Sequence, residues 1–287
     1  MSATPTLPQF DPGAEMHAPE LYQPTGIGHS VETFDDITAD DIRFYHEQGY
    51  LMVRQAFTPA EVADSIAGLT ALIMGSRPDF TGIWFEAQIR EKVETLTVEQ
   101  RLDAVRKLAT FGDYEPRLRA IALHQKMLAQ ISRLMGGLQP ELFQEMALIK
   151  PPRLGREKPW HQDQAYFEYP LGTPVVGVWI ALDEATIANG CMQFLPGAHR
   201  NGPLIHFQRR DWQICDNQMM GSRSVAAPLK PGGLLLFDGL LPHGTPHNSS
   251  PSRRRALQFH YAPVGTKKDA PEVRLQHFGA EGKNVTC

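Results

Sequence analysis

The 287-residue sequence has 42% hydrophobic and 21% charged side chains, an ordinary globular composition long enough for one large core or two small ones, which excludes a disordered chain. A formal charge of −4 and a pI near 6.3 give no broad basic field, so neither nucleic acid nor an anionic membrane is expected as a partner, and a small-molecule substrate is. No apolar run approaches the roughly 20 residues of a membrane span, and the opening is too polar and proline-rich for a signal peptide, so a cytoplasmic protein is expected.

Residues 1–36 are rich in Pro, Gly and His without a sustained period and read as an extended N-terminal arm. Thr38 caps a helix whose stripe of Ile42, Tyr45 and His46 ends at Gly49, and 49–54 reads as a short strand. Thr58, Pro59 and Glu61 combine a cap, a first-turn proline and a capping-box acid, opening an amphipathic helix to about Met74. Between Glu86 and Met135, the residues Val93, Leu96, Leu102, Val105 and Leu108 recur at helical spacing and predict two or three further helices. From Phe143 the texture changes to short β-rich runs at 143–149, 160–167, 175–182, 192–195, 225–227, 233–237 and 254–262. Seven such runs without helices between them predict an antiparallel sandwich or small barrel. The expected fold class is mainly β with a helical layer: helices over about 37–140, a β-barrel over about 141–265, and one domain spanning 37–287. Cys191, Cys215 and Cys287 are odd in number, lack a CxxC pair, and read as buried or incidental thiols.

Trp160-His161-Gln162-Asp163 carries the chemistry. Extended backbone sends residues two apart to one side, so His161 and Asp163 can reach a common point. A third ligand from His243, just after the run 233–237, completes two histidines and a carboxylate, the facial set of Fe(II) oxygenases. His247 competes with His243 for that place, and composition does not exclude His199 or His260. In the last run, Leu257, Phe259 and Tyr261 form an apolar face while Arg254, Ala256, Gln258 and His260 share the other, which sends the Arg254 guanidinium into the barrel, where it would grip a carboxylate. Arg253 and Arg255 read as surface charge. Trp179 is either core filler or the wall of a cofactor site.

Together, 160–163, 177–182, 188–199, 230–233 and His243-Gly-Thr-Pro-His-Asn248 followed by Arg254 resemble the phytanoyl-CoA dioxygenase family of 2-oxoglutarate oxygenases, with similarity covering about 37–265. The resemblance implies a double-stranded β-helix of jelly-roll, cupin-like type. It also implies that His243 joins His161 and Asp163 on Fe(II), and that Arg254, helped by Thr245, binds the distal carboxylate of 2-oxoglutarate. Met146 and Trp179 match positions lining the cosubstrate, and Lys107 matches a lysine reaching it from the helical layer, its alternative being an exposed helix lysine. The implied activity consumes O2 and 2-oxoglutarate, hydroxylates a small organic metabolite and releases succinate and CO2; Asp163 favours hydroxylation over halogenation, since halogenating relatives lack the carboxylate. The competing readings are a metal-dependent isomerase or lyase on a cupin-like barrel and a catalytically silent binding module. Tyr166, Phe167, Tyr169 and Trp212 either wall a substrate pocket or pack, and Arg77, Arg90 and Arg209 either meet an anion or lie in solvent.

Overall fold

The computed structural model describes residues 16–86 and 92–279. In chain order the elements begin with β1 (Gly26–Ile27), β2 (Ser30–Val31), α1 (Ala39–Gln48), β3 (Tyr50–Val53), α2 (Pro59–Ile73), β4 (Ile83–Phe85), α3 (Val98–Ala104), β5 (Val105–Ala109), α4 (Pro116–Ala122) and α5 (Gln125–Leu134). They continue with β6 (Pro140–Lys150), β7 (Lys158–His161), β8 (Val176–Ala181), β9 (Met192–Phe194), β10 (His206–Gln208), β11 (Trp212–Ile214) and α6 (Asp216–Met219). The last elements are β12 (Val225–Ala227), β13 (Leu234–Asp238), β14 (His243–Thr245), β15 (Arg254–Pro263) and α7 (Pro271–Phe278).

Both leading helices start as their residues dictate. Thr38 and Thr58 each accept the backbone N–H of the acid three residues on, and Asp41 and Glu61 return the favour to the cap N–H. Gly49, at φ +81°, closes α1 in the left-handed conformation and turns the chain into β3.

Eight strands form one sheet in the order β2-β3-β13-β8-β15-β6-β5-β4, and five form a second in the order β1-β12-β9-β14-β7. Alternation along the large sheet separates two cores. Its outer face, with Val178, Ile180, Leu236, Leu257, Phe259 and Tyr261, packs against Leu69 and Leu72 of α2, Leu118 of α4 and Ile131 of α5. Its inner face, with Trp179, Leu235, Phe237 and Ala256, meets Met192 and Phe194 of β9 and Ala226 of β12. The result is the expected double-stranded β-helix with a helical layer on one side.

Two expectations are corrected. Val105 and Leu108 belong to a strand, because β5 pairs with the exposed edge of the long β6 (Lys107 opposite Leu148, Ala109 opposite Met146) and satisfies backbone groups a helix would leave bare. The run 160–167 is a strand only to His161; Asp163–Tyr166 forms a 3-10 turn. The β10–β11 pair was not foreseen. Cys191 is a buried free thiol, whereas Cys215 is disulfide-bonded rather than incidental. No helix among the described residues is long and apolar enough to cross a membrane.

The described part of the N-terminal arm is threaded onto both sheets. β1 pairs with β12 and β2 with β3. Between Ala18 and β1, Tyr22 stacks on Trp160 at 5.7 Å, and the Trp160 indole N–H donates to Leu21 O at 3.1 Å.

Candidate active site

His243 in β14 lies directly opposite His161 in β7, and their ring centroids are 4.2 Å apart. Gln162 keeps extended backbone beyond the strand end (φ −110°, ψ 131°), which returns Asp163 to the side of His161. Gln162 itself is tied into the scaffold: its N–H donates to His206 Nε2, its amide to Gly202 O and Leu240 O, and its Oε1 accepts from Leu204 N. One donor atom each of His161, Asp163 and His243 lies within 4.8 Å of the others, and all three residues are buried.

Hydrogen bonding fixes which ring nitrogen faces the centre. His161 Nδ1 meets Pro159 O at 2.7 Å and His243 Nδ1 meets Leu241 O at 2.9 Å, so each Nδ1–H donates to a carbonyl and each Nε2 presents a lone pair. These lone pairs face a carboxylate: His161 Nε2 is 3.1 Å from Asp163 Oδ1 and His243 Nε2 is 3.6 Å from Oδ2. Two lone pairs opposed to an anion call for a cation between them, so the donor set fits a divalent ion. Burial, then the neighbouring His161, brings His243 down to about 3, which keeps it neutral and able to ligate. Burial pushes Asp163 up, but the surrounding imidazoles, His243 first and then His260 and His161, outweigh it and hold the carboxyl well below its ordinary range.

A cavity of about 310 Å³ opens beside this centre. Strand register brings several side chains to its wall. Across the inner face Ala109, Met146, Gln258 and Trp179 form one row, Lys107, Leu148, Ala256 and Ala181 the next, and Lys150 and Arg254 a third. Met146, Trp179, Thr245, Lys107 and Arg254, the residues singled out in the sequence, all line the cavity.

Arg254 is 1% exposed, its Cζ lies 5.3 Å from the Trp179 ring centroid, and its Nε and Nη1 have no hydrogen-bond partner among the described residues. Burial brings this guanidinium down to about 10. Trp179 Nε1 is likewise buried and unpartnered. Opposite Arg254, Lys150 donates to Pro246 O at 2.7 Å and to Arg156 O, and burial, then Arg254, holds it well below the usual lysine range. The orphaned donors of Arg254, beside a second buried basic group, fit an anion delivered from outside. Lys107 sits over the Trp84 ring at 5.1 Å and is brought down to about 8 by burial and then by Lys158.

Of the competing histidines, none joins the triad. His199 Nε2 meets His46 O, the His247 N–H donates to His17, and His260 reaches the centre only through Asp163. Arg253 and Arg255 pair with Asp103 and Asp183 at 2.6 and 2.7 Å. Tyr166 and Phe167 line the cavity; Tyr169 packs edge-on against Phe143, and Trp212 stacks on His206. Arg77 donates to Tyr114 O, Arg209 pairs with Asp216, and Arg90 lies outside the described residues. Sequence reasoning missed Lys150, whose signal was a lone lysine directly after the apolar stretch Met146–Ile149.

The family model for phytanoyl-CoA dioxygenase (PhyH) matches residues 45–256. The chain belongs to the phytanoyl-CoA dioxygenase family. As a member of it, the protein is an oxygenase. It is 26% identical over 286 aligned residues to phytanoyl-CoA dioxygenase domain-containing protein 1 of Danio rerio, covering 84% of this chain and 96% of that one. Among solved structures, the non-haem alpha-ketoglutarate-dependent carbocyclase SnoK from nogalamycin biosynthesis is similar with a TM-score of 0.65 at 22% identity, over 87% of this chain and 92% of SnoK. EvdO2 from Micromonospora carbonacea var. aurantiaca, complexed with 2-oxoglutarate, is similar with a TM-score of 0.64 at 24% identity, over 84% of this chain and 97% of EvdO2.

Proposed function

We propose that this member of the family is an Fe(II)- and 2-oxoglutarate-dependent dioxygenase that hydroxylates an unactivated C–H bond of a small organic metabolite. The observation that carries the reading is the buried Arg254, with two free guanidinium nitrogens, lining the same cavity as the His161, Asp163 and His243 cluster. Bound ferrous iron supplies the oxygen chemistry, in which oxidative decarboxylation of 2-oxoglutarate to succinate and CO2 drives oxidation of the substrate.

The protein's own groups bind, orient and exclude water. His161 and His243 offer Nε2, and Asp163 offers a carboxylate oxygen. A divalent ion with a single acidic ligand keeps net positive charge, and Arg254 adds a further cation, so a dianionic oxoacid is drawn in. Arg254 would hold the distal carboxylate through Nε and Nη1, with Thr245 beside it, Met146 and Trp179 forming the wall, and Lys107 reaching in from β5.

Anaerobic loading with ferrous iron and 2-oxoglutarate, followed by oxygen and a metabolite extract, tests the proposal. The expected result is succinate release together with a product heavier by one oxygen atom. Because SnoK is a carbocyclase on this fold, a product lighter by two hydrogens with succinate still released would favour oxidative cyclisation or desaturation. Turnover without succinate would favour the isomerase or lyase reading, and neither succinate nor product from the loaded protein would sink the enzyme proposal.

A further inference from the structure

Asp163 is the one acid of the triad, and how it binds decides how many positions the ion keeps free. A carboxylate that ligates through one oxygen uses one coordination position; through both, it uses two, and an oxoacid chelate plus O2 then has no room. The structure resolves the two oxygens by what else they touch. His260 Nε2 donates to Asp163 Oδ2 at 2.7 Å and Gln258 Nε2 donates to the same atom at 3.1 Å. A carboxylate oxygen has two lone-pair directions, so the two donors occupy Oδ2, which lies 3.6 Å from His243 Nε2, while Oδ1, 3.1 Å from His161 Nε2 and without either donor, is left for the ion.

Both donors are built in. Gln258 and His260 stand two apart on β15, on the inner face they share with Arg254, and are 4% and 0% exposed. Phe167 and Phe237 enclose the His260 ring at 4.9 and 6.0 Å between centroids, and its Nδ1 has no partner. An ionised carboxylate only accepts, so the ring hydrogen sits on Nε2 and has nowhere else to go. Gly177, opposite His260 on β8, lets Phe237 approach: a Cβ there would lie 2.3 Å from the Phe237 ring.

We propose that Gln258 and His260 are positioning residues that occupy Oδ2 of Asp163 and restrict it to single-oxygen ligation, preserving the positions an oxoacid and oxygen require. The inference rests on the iron and 2-oxoglutarate reading above.

The test is an anaerobic titration of the full-length protein with ferrous iron alone and then with 2-oxoglutarate, following the iron-to-oxoacid charge-transfer absorption. His260→Phe keeps the ring volume and Gln258→Met keeps the length, each without the donor, while His260→Gln places an amide donor near the lost Nε2. Both donorless variants are expected to bind iron within about 10-fold of wild type while the 2-oxoglutarate requirement rises 10-fold or more, at the scale typical of groups that orient metal ligands. His260→Gln is expected to recover most of that loss, which filling a ring-sized space alone would not do. If His260→Phe does not fold, Gln258→Met decides. Wild-type titration of both variants while the wild type shows the band overturns this proposal alone, as does a loss that falls on iron binding with the oxoacid requirement unchanged. Absence of the band in the wild type overturns the parent reading.

Discussion

Replacing Arg254 with Met should stabilise the protein without cosubstrate and abolish its stabilisation by cosubstrate. The guanidinium is fully buried, two of its nitrogens are unpartnered among the described residues, and burial brings it from its ordinary value down to about 10. At ~1.4 kcal/mol per tenfold change in protonation, that depression corresponds to about 3 kcal/mol against the folded state. The sign follows from linkage: below about 10 the group is charged in both folded and unfolded chains, so the full cost is present at neutral pH and fades only as pH rises above 10 toward the ordinary arginine value. Methionine keeps the apolar stem and removes the charge, so thermal melts without 2-oxoglutarate should rise by about 6–9 °C, taking ~2–3 °C per kcal/mol for a chain of this size. With metal bound under argon and 2-oxoglutarate at ~100 times its dissociation constant, wild type should gain about 2.7 kcal/mol. The variant, lacking charge-assisted hydrogen bonds that contribute about 3 kcal/mol, should gain almost nothing. A variant that melts below wild type without 2-oxoglutarate, or that 2-oxoglutarate stabilises equally, would refute the assignment of Arg254 as an anion site held ready at a cost in stability.

Asp163→Ala should lose succinate formation entirely, or at best permit weak halogenation in chloride; hydroxylation at the wild-type rate, followed by mass spectrometry, would remove Asp163 from the ligand set. Burial takes His206 down to about 3, so between pH 6.5 and 3 the unfolded chain holds a proton the folded one lacks, and stability falls as pH drops through that window. Urea melts should show His206→Asn losing stability less steeply there, by about 1.4 kcal/mol per pH unit, and identical slopes would count against it. Gly190 sits at φ +84° with Pro246 O 2.6 Å from where a Cβ would stand, so Gly190→Ala should cost about 2 kcal/mol or more in a denaturant melt, and a change under about 0.5 would show the loop yielding.

The sequence carried most of the site because its chemistry is written in short-range patterns. Alternation placed Arg254, Gln258 and His260 on one face of a strand, and that parity is local. Which histidine completed the triad was not local: His243 and His247 are equally plausible by composition, and only pairing of β14 with β7 brings His243 against His161. Val105 and Leu108 misled for a related reason, since a helical interval and a strand with an irregular partner produce the same spacing; the deciding fact is the open edge of β6, far along the chain. Lys150 gave little warning because a lysine ending a strand ordinarily snorkels to water, whereas here it is enclosed opposite Arg254.

The attachment of residues 18–31 sets a practical boundary for anyone shortening this protein. A start at residue 37, where periodic secondary structure first becomes evident, would delete one strand from each sheet, strip the Tyr22 ring from Trp160 and leave the Trp160 indole N–H without its carbonyl. Since Trp160 immediately precedes His161, such a truncation would reach the candidate metal site as well as the sheets, and a fusion tag belongs upstream of Ala18.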